Sequence, residues 1–331
     1  MSNQQPVWRR RLWLAAKIAV IALVVGFVWR TLVDAWHQLG EYPWEFRGGW
    51  IAAAAVFYLL ALLPPAVFWF SALRALGQHP GFWEAIRAYY LGHLGKYVPG
   101  KAMVVILRAG LIRGERVDTG VAAASVFLES LTWISVGAVL AAGYLAAHLA
   151  REEPVFWLSL GVMVATGIPT LPHVFPRLAK LAGVGKQDPA IVEKLDGLGL
   201  RTTVLGWGLM GLGWILMGLA NWSTFRAMGL PGGEVLNELP RFMAAASLAI
   251  VVGFVAIFAP GGIGVREAVL AKVMIPYLRQ FTGQAEVVAW GASLLFRLVS
   301  VVSELAISAM LYGVGLTRAR PPGKDHPHQR V

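Results

Sequence analysis

Residues 50–72 read WIAAAAVFYLLALLPPAVFWFSA, without one Asp, Glu, Lys or Arg. At about 1.5 Å of rise per residue, roughly 20 helical residues cover the ~30 Å hydrocarbon core of a bilayer, so a run of this length is read as a spanning helix. Pro64-Pro65 is expected only to kink it. Working outward, comparable runs occupy about 12–33, 119–149, 154–172, 203–225, 242–259 and 286–316. Little chain is left between them for a soluble domain.

Composition agrees. The 331 residues are 57% hydrophobic and 14% charged, against about 25% charged in soluble domains, and the mean hydropathy is +0.61. Fourteen Trp and eight Tyr suit a protein with two lipid–water interfaces. The net charge of +11 is the excess expected of cytoplasmic loops, which also attract anionic lipid headgroups; nucleic acid is not an expected partner. With no cysteine, disulfides, thiolate catalysis and Cys-based metal sites are excluded. The expected fold is all-α: a polytopic transmembrane helix bundle of about seven to eight spans with two broken or re-entrant segments.

Charge sets the orientation. Trp8-Arg9-Arg10-Arg11 precedes an apolar run, Leu12 to Val33, that lacks a small-x-small cleavage site, so it reads as an uncleaved first helix. The linker 34–48 carries Asp34, Glu41 and Glu45 against Arg47, whereas 173–201 carries Arg177, Lys180, Lys186, Lys194 and Arg201. The basic loop belongs inside, and the N-terminus is cytoplasmic. Arg318, Arg320 and Lys324 argue for a cytoplasmic C-terminus too. Two inside ends need an even number of crossings, so an eighth element is expected after Pro260. A single transmembrane domain over 1–331 follows: cytoplasmic residues 1–11, a bundle over 12–316, and a cytoplasmic tail over 317–331 expected to be disordered. The location is the inner (plasma) membrane. Within 173–201, the mildly amphipathic stretch 174–199 suits the inner leaflet.

Two apolar stretches are interrupted. One runs Tyr89-Tyr90-Leu91-Gly92-His93-Leu94-Gly95-Lys96-Tyr97-Val98-Pro99-Gly100-Lys101, with Arg108 downstream; the other runs Ala259-Pro260-Gly261-Gly262-Ile263-Gly264-Val265-Arg266-Glu267. Proline removes a backbone donor and glycine tolerates positive φ, so helices break here. Irregular backbone at membrane depth survives only when shielded by protein or lining a wet cavity, and paired interruptions point to a transport site. Pro99, Gly100, Pro260, Gly261, Gly262 and Gly264 are thus candidate backbone-break residues. The two blocks match loosely, with Arg nine residues after Pro99 and six after Pro260.

Ionisable groups inside spans cost about 2.5–3.5 kcal/mol each at a helix centre. Glu129 lies within 119–149, between Ser125 and Thr132. In the last span Ser293, Arg297, Ser300, Glu304 and Ser308 fall on one helical face, with the cation and anion about 10 Å apart along the axis. Such a stripe is either a structural seam between helices or a polar path for a headgroup or ion. Lys96, Lys101, Arg108 and Arg266 either snorkel to the surface or, with the free amides of the breaks, cradle a phosphate. The candidate substrate-binding set is Lys96, Arg108, Arg266, Arg297, Glu129, Glu267 and Glu304. His93 reads as structural. No catalytic residue, metal site or cofactor is expected: His, Asp and Glu lack ligand spacing, and Gly261-Gly262-Ile263-Gly264 is not followed by Gly-Lys-Ser/Thr.

Pro260-Gly261-Gly262-Ile263-Gly264-Val265-Arg266-Glu267-Ala268 resembles the Pro-Gly-Gly…Arg-Glu block of the lysylphosphatidylglycerol synthase transmembrane family, whose members are also described as flippase-like. Leu94 to Lys101, with Arg108, is similar to that family's first block, from which it departs at Lys101 and Ala102, where a small or acidic residue is more common. The resemblance implies a polytopic membrane domain that moves lipids or lipid-linked intermediates between leaflets. In bifunctional members this domain precedes a soluble aminoacyl transferase. Here about fifteen residues follow the last span, so lipid aminoacylation is not expected. The expected function is a lipid translocase whose partners are membrane lipids with anionic headgroups. The alternatives are a membrane-embedded transferase acting on a lipid carrier and an accessory subunit of a lipid or glycan pathway.

Overall fold

The computed structural model describes residues 44–98, 102–114, 116–148, 154–181, 195, 198–230, 233–255 and 262–318. The expected first span 12–33, the segment 1–11, Pro99, Gly100, Lys101, Lys186, Lys194, Pro260, Gly261 and the tail beyond Arg318 lie outside them. In chain order the helices are α1 (Gly48–Ala61), α2 (Leu63–Ala75), α3 (Phe82–His93), α4 (Ala102–Ile112), α5 (Thr119–His148), α6 (Pro154–Gly167), α7 (Phe175–Leu181), α8 (Leu200–Ala227), α9 (Val235–Val255), α10 (Val265–Leu278) and α11 (Ala285–Arg318). Among the described residues no strand forms, and the protein is an all-α membrane bundle.

Five stretches are long and apolar enough to cross a bilayer: Gly48–Ala75, Thr119–His148, Leu200–Ala227, Val235–Phe254 and Ala285–Gly313. The first joins α1 and α2 across Leu62, with Pro64 and Pro65 in the first turn of α2, where a missing N–H costs nothing. The stretch 154–172 differs from a single long helix. α6 has 14 residues, about 21 Å, and gives way to a 3-10 turn over Ile168–Thr170 because Pro169 cannot continue the α ladder. The basic loop after it contains the short helix α7.

Contacts between helix ends sort the bundle into two ends. At the first, Arg47 N–H donates to Ala227 O at 2.7 Å, the Trp50 and Trp222 rings meet edge-on at 5.2 Å, and Trp222 Nε1 donates to Glu238 at 2.9 Å. Tyr277 also donates to Glu238, which brings the end of α10 beside the start of α9. At the second end, His79 N–H donates to Arg116 O at 3.1 Å, Asp118 N–H donates to Gln78 Oε1 at 2.7 Å, and Arg87 Nε donates to Leu311 O at 3.1 Å.

Two hairpins follow from these ties. α3 and α4, of 12 and 11 residues, are each under about 20 Å long and cannot cross alone; they enter and leave at the second end. Val98, which precedes Pro99, is extended at φ −86, ψ 134, as a residue before proline prefers. α9 and α10 enter and leave at the first end. The element expected after Pro260 is α10, whose 14 residues make a short return limb, too short for the eighth crossing that the sequence suggested. The described inner ends of the two hairpins, Lys96 and Val98 of the first and Gly253, Phe254, Gly262 and Arg266 of the second, line one cavity inside the bundle.

Glycine permits each hairpin to close. A Cβ on Gly92 would lie 2.4 Å from Arg108 Cγ, and one on Gly253 would lie 2.3 Å from Arg266 Cγ. In both hairpins a first-limb glycine therefore receives the arginine stem of the second limb. Gly262 and Gly264, at φ +72 and +74, turn the chain into α10 through a conformation that side chains with a Cβ rarely adopt.

Candidate functional site

The described inner ends of the two hairpins meet ionisable residues of α1, α5 and α11. Glu304 of α11 accepts from Tyr97 OH at 2.8 Å and from Tyr58 OH and Lys96 Nζ at very short range. Glu129 of α5 pairs with Arg108 Nη1 at 2.6 Å and accepts from Tyr89 OH at 3.1 Å. Arg108 also packs its guanidinium over the Tyr89 ring, 3.8 Å from the centroid. His93 joins the two groups, its Nε2 3.0 Å from Lys96 Nζ and its Nδ1 3.3 Å from Arg108 Nη2. Arg297 lies 5.3 Å from the Tyr97 ring centroid and pairs through Nε with Glu267 Oε1 at 3.6 Å.

Six of the seven charged residues singled out in the sequence thus belong to one continuous network, and the seventh, Arg266, lines the cavity beside it. Arg108, Glu129, Glu267, Arg297 and Glu304 are buried. The stripe on α11 faces inward throughout: Ser293, Ser300 and Ser308 are buried as well. Arg297 and Glu304 are not each other's partners, however. Seven residues apart on one helix they are about 10 Å distant, so each reaches to another element, Arg297 to α10 and Glu304 to the tip of the first hairpin. Of the break residues, Gly262 and Gly264 frame the start of α10; Pro99, Gly100, Pro260 and Gly261 lie outside the described residues.

Burial of separate ions is expensive, and removing one member of a buried pair strands the other. Three acids here face four bases, Lys96, Arg108, Arg266 and Arg297, counted among the described residues. The network lies at mid-depth. Glu129 is about 15 Å from the start of α5 at the second end, and Tyr58 is about 15 Å from the start of α1 at the first end, so each lies near the centre of a ~30 Å slab.

A cavity of about 210 Å³ opens between the described limbs of the two hairpins, lined by Tyr58, Tyr89, His93, Lys96, Arg108, Glu129 and Arg266 on its polar side. That is far above the ~10–15 Å³ that admits one water. Its other wall is apolar, formed by Val104, Val105, Phe127, Ile134 and Phe254. Phe127 and Phe254 are 53% and 39% exposed, so this wall reaches the flank of the bundle. A second cavity of about 20 Å³ adjoins it, lined by Glu267, Ser293, Arg297 and Ser300 and sharing Tyr58 and Arg266 with the first. Among the described residues no three His, Cys, Asp or Glu side chains converge to hold a metal ion.

Sequence reasoning missed Tyr58, Tyr89 and Tyr97, and treated His93 as structure alone. A buried tyrosine hydroxyl needs a partner, and that need was the available signal. Yet in an apolar run a tyrosine reads equally as an interfacial residue.

No curated protein sequence matches this chain. Residues 14–308 match the family model described as the lysylphosphatidylglycerol synthase TM region. The match covers most of the chain and includes both hairpins, and the protein belongs to that lysylphosphatidylglycerol synthase transmembrane family.

Proposed function

We propose that the protein is a lipid translocase of the inner (plasma) membrane, acting on a phospholipid or a lipid-linked intermediate and carrying out no covalent chemistry. The observation that carries this reading is the cavity between two opposed hairpins at mid-depth. It has basic side chains on one wall and an apolar wall at the bundle's flank. An anionic headgroup entering it would be met by Lys96, Arg108 and Arg266, while its acyl chains stayed in lipid beside Phe127 and Phe254. Glu129, Glu267 and Glu304 hold the cations when no headgroup is present, which keeps an empty site affordable in a low-dielectric interior. Opposed re-entrant segments around a central site are the arrangement by which many transporters offer one site to both sides in turn.

The orientation follows from charge. The second end carries Arg74, Arg113, Arg116 and Arg201 against Glu84 and Asp118, whereas at the first end Glu45, Glu234, Glu238 and Glu286 balance Arg47, Arg226, Arg241 and Arg279. By the positive-inside rule the second end faces the cytoplasm. That orientation gives a cytoplasmic N-terminus once the run 12–33 crosses.

The test is reconstitution into vesicles carrying a fluorescent phospholipid in both leaflets, with a membrane-impermeant quencher outside. Translocation makes the inner-leaflet pool reachable; empty vesicles and vesicles with Arg266→Gln retain it. A wild-type protein that leaves the inner pool protected, across phospholipid and polyprenyl phosphate probes alike, overturns the reading.

A further inference from the structure

His93 and Lys96 sit at the inner end of the first hairpin and both line the large cavity, their side chains 19% and 18% exposed. Their contacts set a proton count. Arg108 Nη2 donates to His93 Nδ1 at 3.3 Å, and a guanidinium has no acceptor and keeps its charge. Nδ1 therefore carries no proton, and the neutral imidazole has its one N–H on Nε2. That N–H faces Lys96 Nζ at 3.0 Å. An ammonium has only donors, so this contact is a hydrogen bond when Lys96 is an uncharged amine, whose lone pair accepts. The amine's two protons then have acceptors in Glu304 Oε1 and in Tyr58 OH, the latter at 3.4 Å. Every donor and acceptor around the amine is matched.

Charge gives the same count. With Lys96 neutral, Arg108, Arg266 and Arg297 face Glu129, Glu267 and Glu304, three against three among the described residues. With Lys96 protonated, a fourth positive charge stands at mid-depth, and a buried charge without a counter-charge is unfavourable. A phosphate in the cavity supplies that counter-charge. We propose that the Lys96 amine is a proton site, neutral without lipid and protonated when an anionic headgroup is seated, so that one proton crosses with each singly charged headgroup. The proton comes from water on the side where the headgroup enters, is held on Nζ between Glu304 and the phosphate, and returns to water where the headgroup leaves. No net charge moves. The groups facing Nζ are His93 of α3, Glu304 of α11, Tyr58 of α1 and the Tyr97 ring at 5.1 Å; Arg108 of α4, Glu129 of α5 and Arg266 of α10 share the cavity, and Arg297 lies over the Tyr97 ring. The arginines hold their protons throughout, and Glu304 accepts from Tyr58, Tyr97 and Lys96 as a carboxylate does. The proposal rests on the translocation reading.

The experiment uses the full chain in phosphatidylcholine vesicles with a trace of fluorescent phosphatidylglycerol, whose phosphodiester stays singly charged near neutral pH. A pH difference of about one unit is imposed with the voltage clamped out by equal potassium and valinomycin, and the leaflet ratio of the probe is read at steady state with an impermeant quencher. One-for-one coupling enriches the probe about tenfold in the leaflet facing the alkaline side. A voltage imposed without a pH difference leaves the leaflets even. A ratio that ignores pH, or that follows voltage, overturns the proposal while translocation stands. A probe that moves in neither condition overturns the translocation reading with it. Lys96→Arg is permanently charged, and Lys96→Gln has an amide with the same two donors and one acceptor as the neutral amine; neither titrates. Both move the probe more slowly, and both lose the pH-driven enrichment. Because the readout is a steady-state ratio, a smaller amount of folded protein slows its approach without changing it. Enrichment that persists in either variant, or a coupled wild type with both variants immobile, takes the proton off Lys96 and overturns the proposal.

Discussion

Replacing Arg108 by Met strips Glu129 of its 2.6 Å partner and leaves that buried carboxylate with Tyr89 OH at 3.1 Å and Ser130 Oγ at 3.3 Å. Breaking a buried pair from one side costs about 3–5 kcal/mol, whereas removing both charges together is often nearly neutral. At roughly 2–4 °C per kcal/mol for a chain of this order, Arg108→Met lowers the unfolding temperature in detergent by about 10 °C, and Arg108→Met/Glu129→Gln recovers most of it. Transport behaves differently. The double variant, though stable, lacks a cation that faces the headgroup, and its rate in vesicles stays at the level of the single variant. Arg108 Nε is also buried without a hydrogen-bond partner among the described residues, an added cost that a purely structural pair would have no reason to keep. A double variant that transports at the wild-type rate reduces the pair to a seam between helices. A single variant that melts with the wild type refutes the desolvation reasoning itself.

Other substitutions probe the remaining links. Gly253→Ala forces a Cβ to within 2.3 Å of the Arg266 stem; overpacking of this kind costs about 1–3 kcal/mol, and the displaced guanidinium stops transport while the protein still inserts, read by vesicle assay and membrane fractionation. Glu304→Ala leaves Lys96, Tyr58 and Tyr97 without their common acceptor, and Arg297→Ala leaves Glu267 without its cation; both abolish transport with insertion retained, and complementation by both together would remove the α11 stripe from the mechanism. Tyr97→Phe deletes one bond to a charged group, the 2.8 Å contact with Glu304, and costs about 1.5–3 kcal/mol in thermal stability; an unchanged melt would mean that the tyrosine is not anchored there.

Much of this arrangement was legible in the residues. The α11 stripe was readable because its period of 3.6 is a local property, and the burial of Ser293, Arg297, Ser300, Glu304 and Ser308 is what a polar face in an apolar helix demands. The two interruptions were readable because proline and glycine act on their own backbone. What sequence could not supply was partnership. Lys96 meets Glu304 across more than two hundred residues, and Arg297 takes its acid from α10 instead of its own helix, since these pairings depend on how the hairpins fold against the bundle. Hydropathy also could not separate a full crossing from a return limb: the apolar run that leads into Pro260 gives no sign that the 14 residues of α10 are too few to cross. The tyrosines that hold Glu304 were hidden for a related reason, because only a three-dimensional neighbour tells a buried hydroxyl from one at the lipid surface.

The most direct measurement is an electron cryo-microscopy map of the protein in nanodiscs made of a phospholipid with a singly charged headgroup. Phosphate density between the Lys96, Arg108 and Arg266 side chains, with acyl density leaving past Phe127 and Phe254, is the predicted result. Headgroup density confined to the two surfaces, with only acyl chain or protein between the hairpin tips, would contradict it.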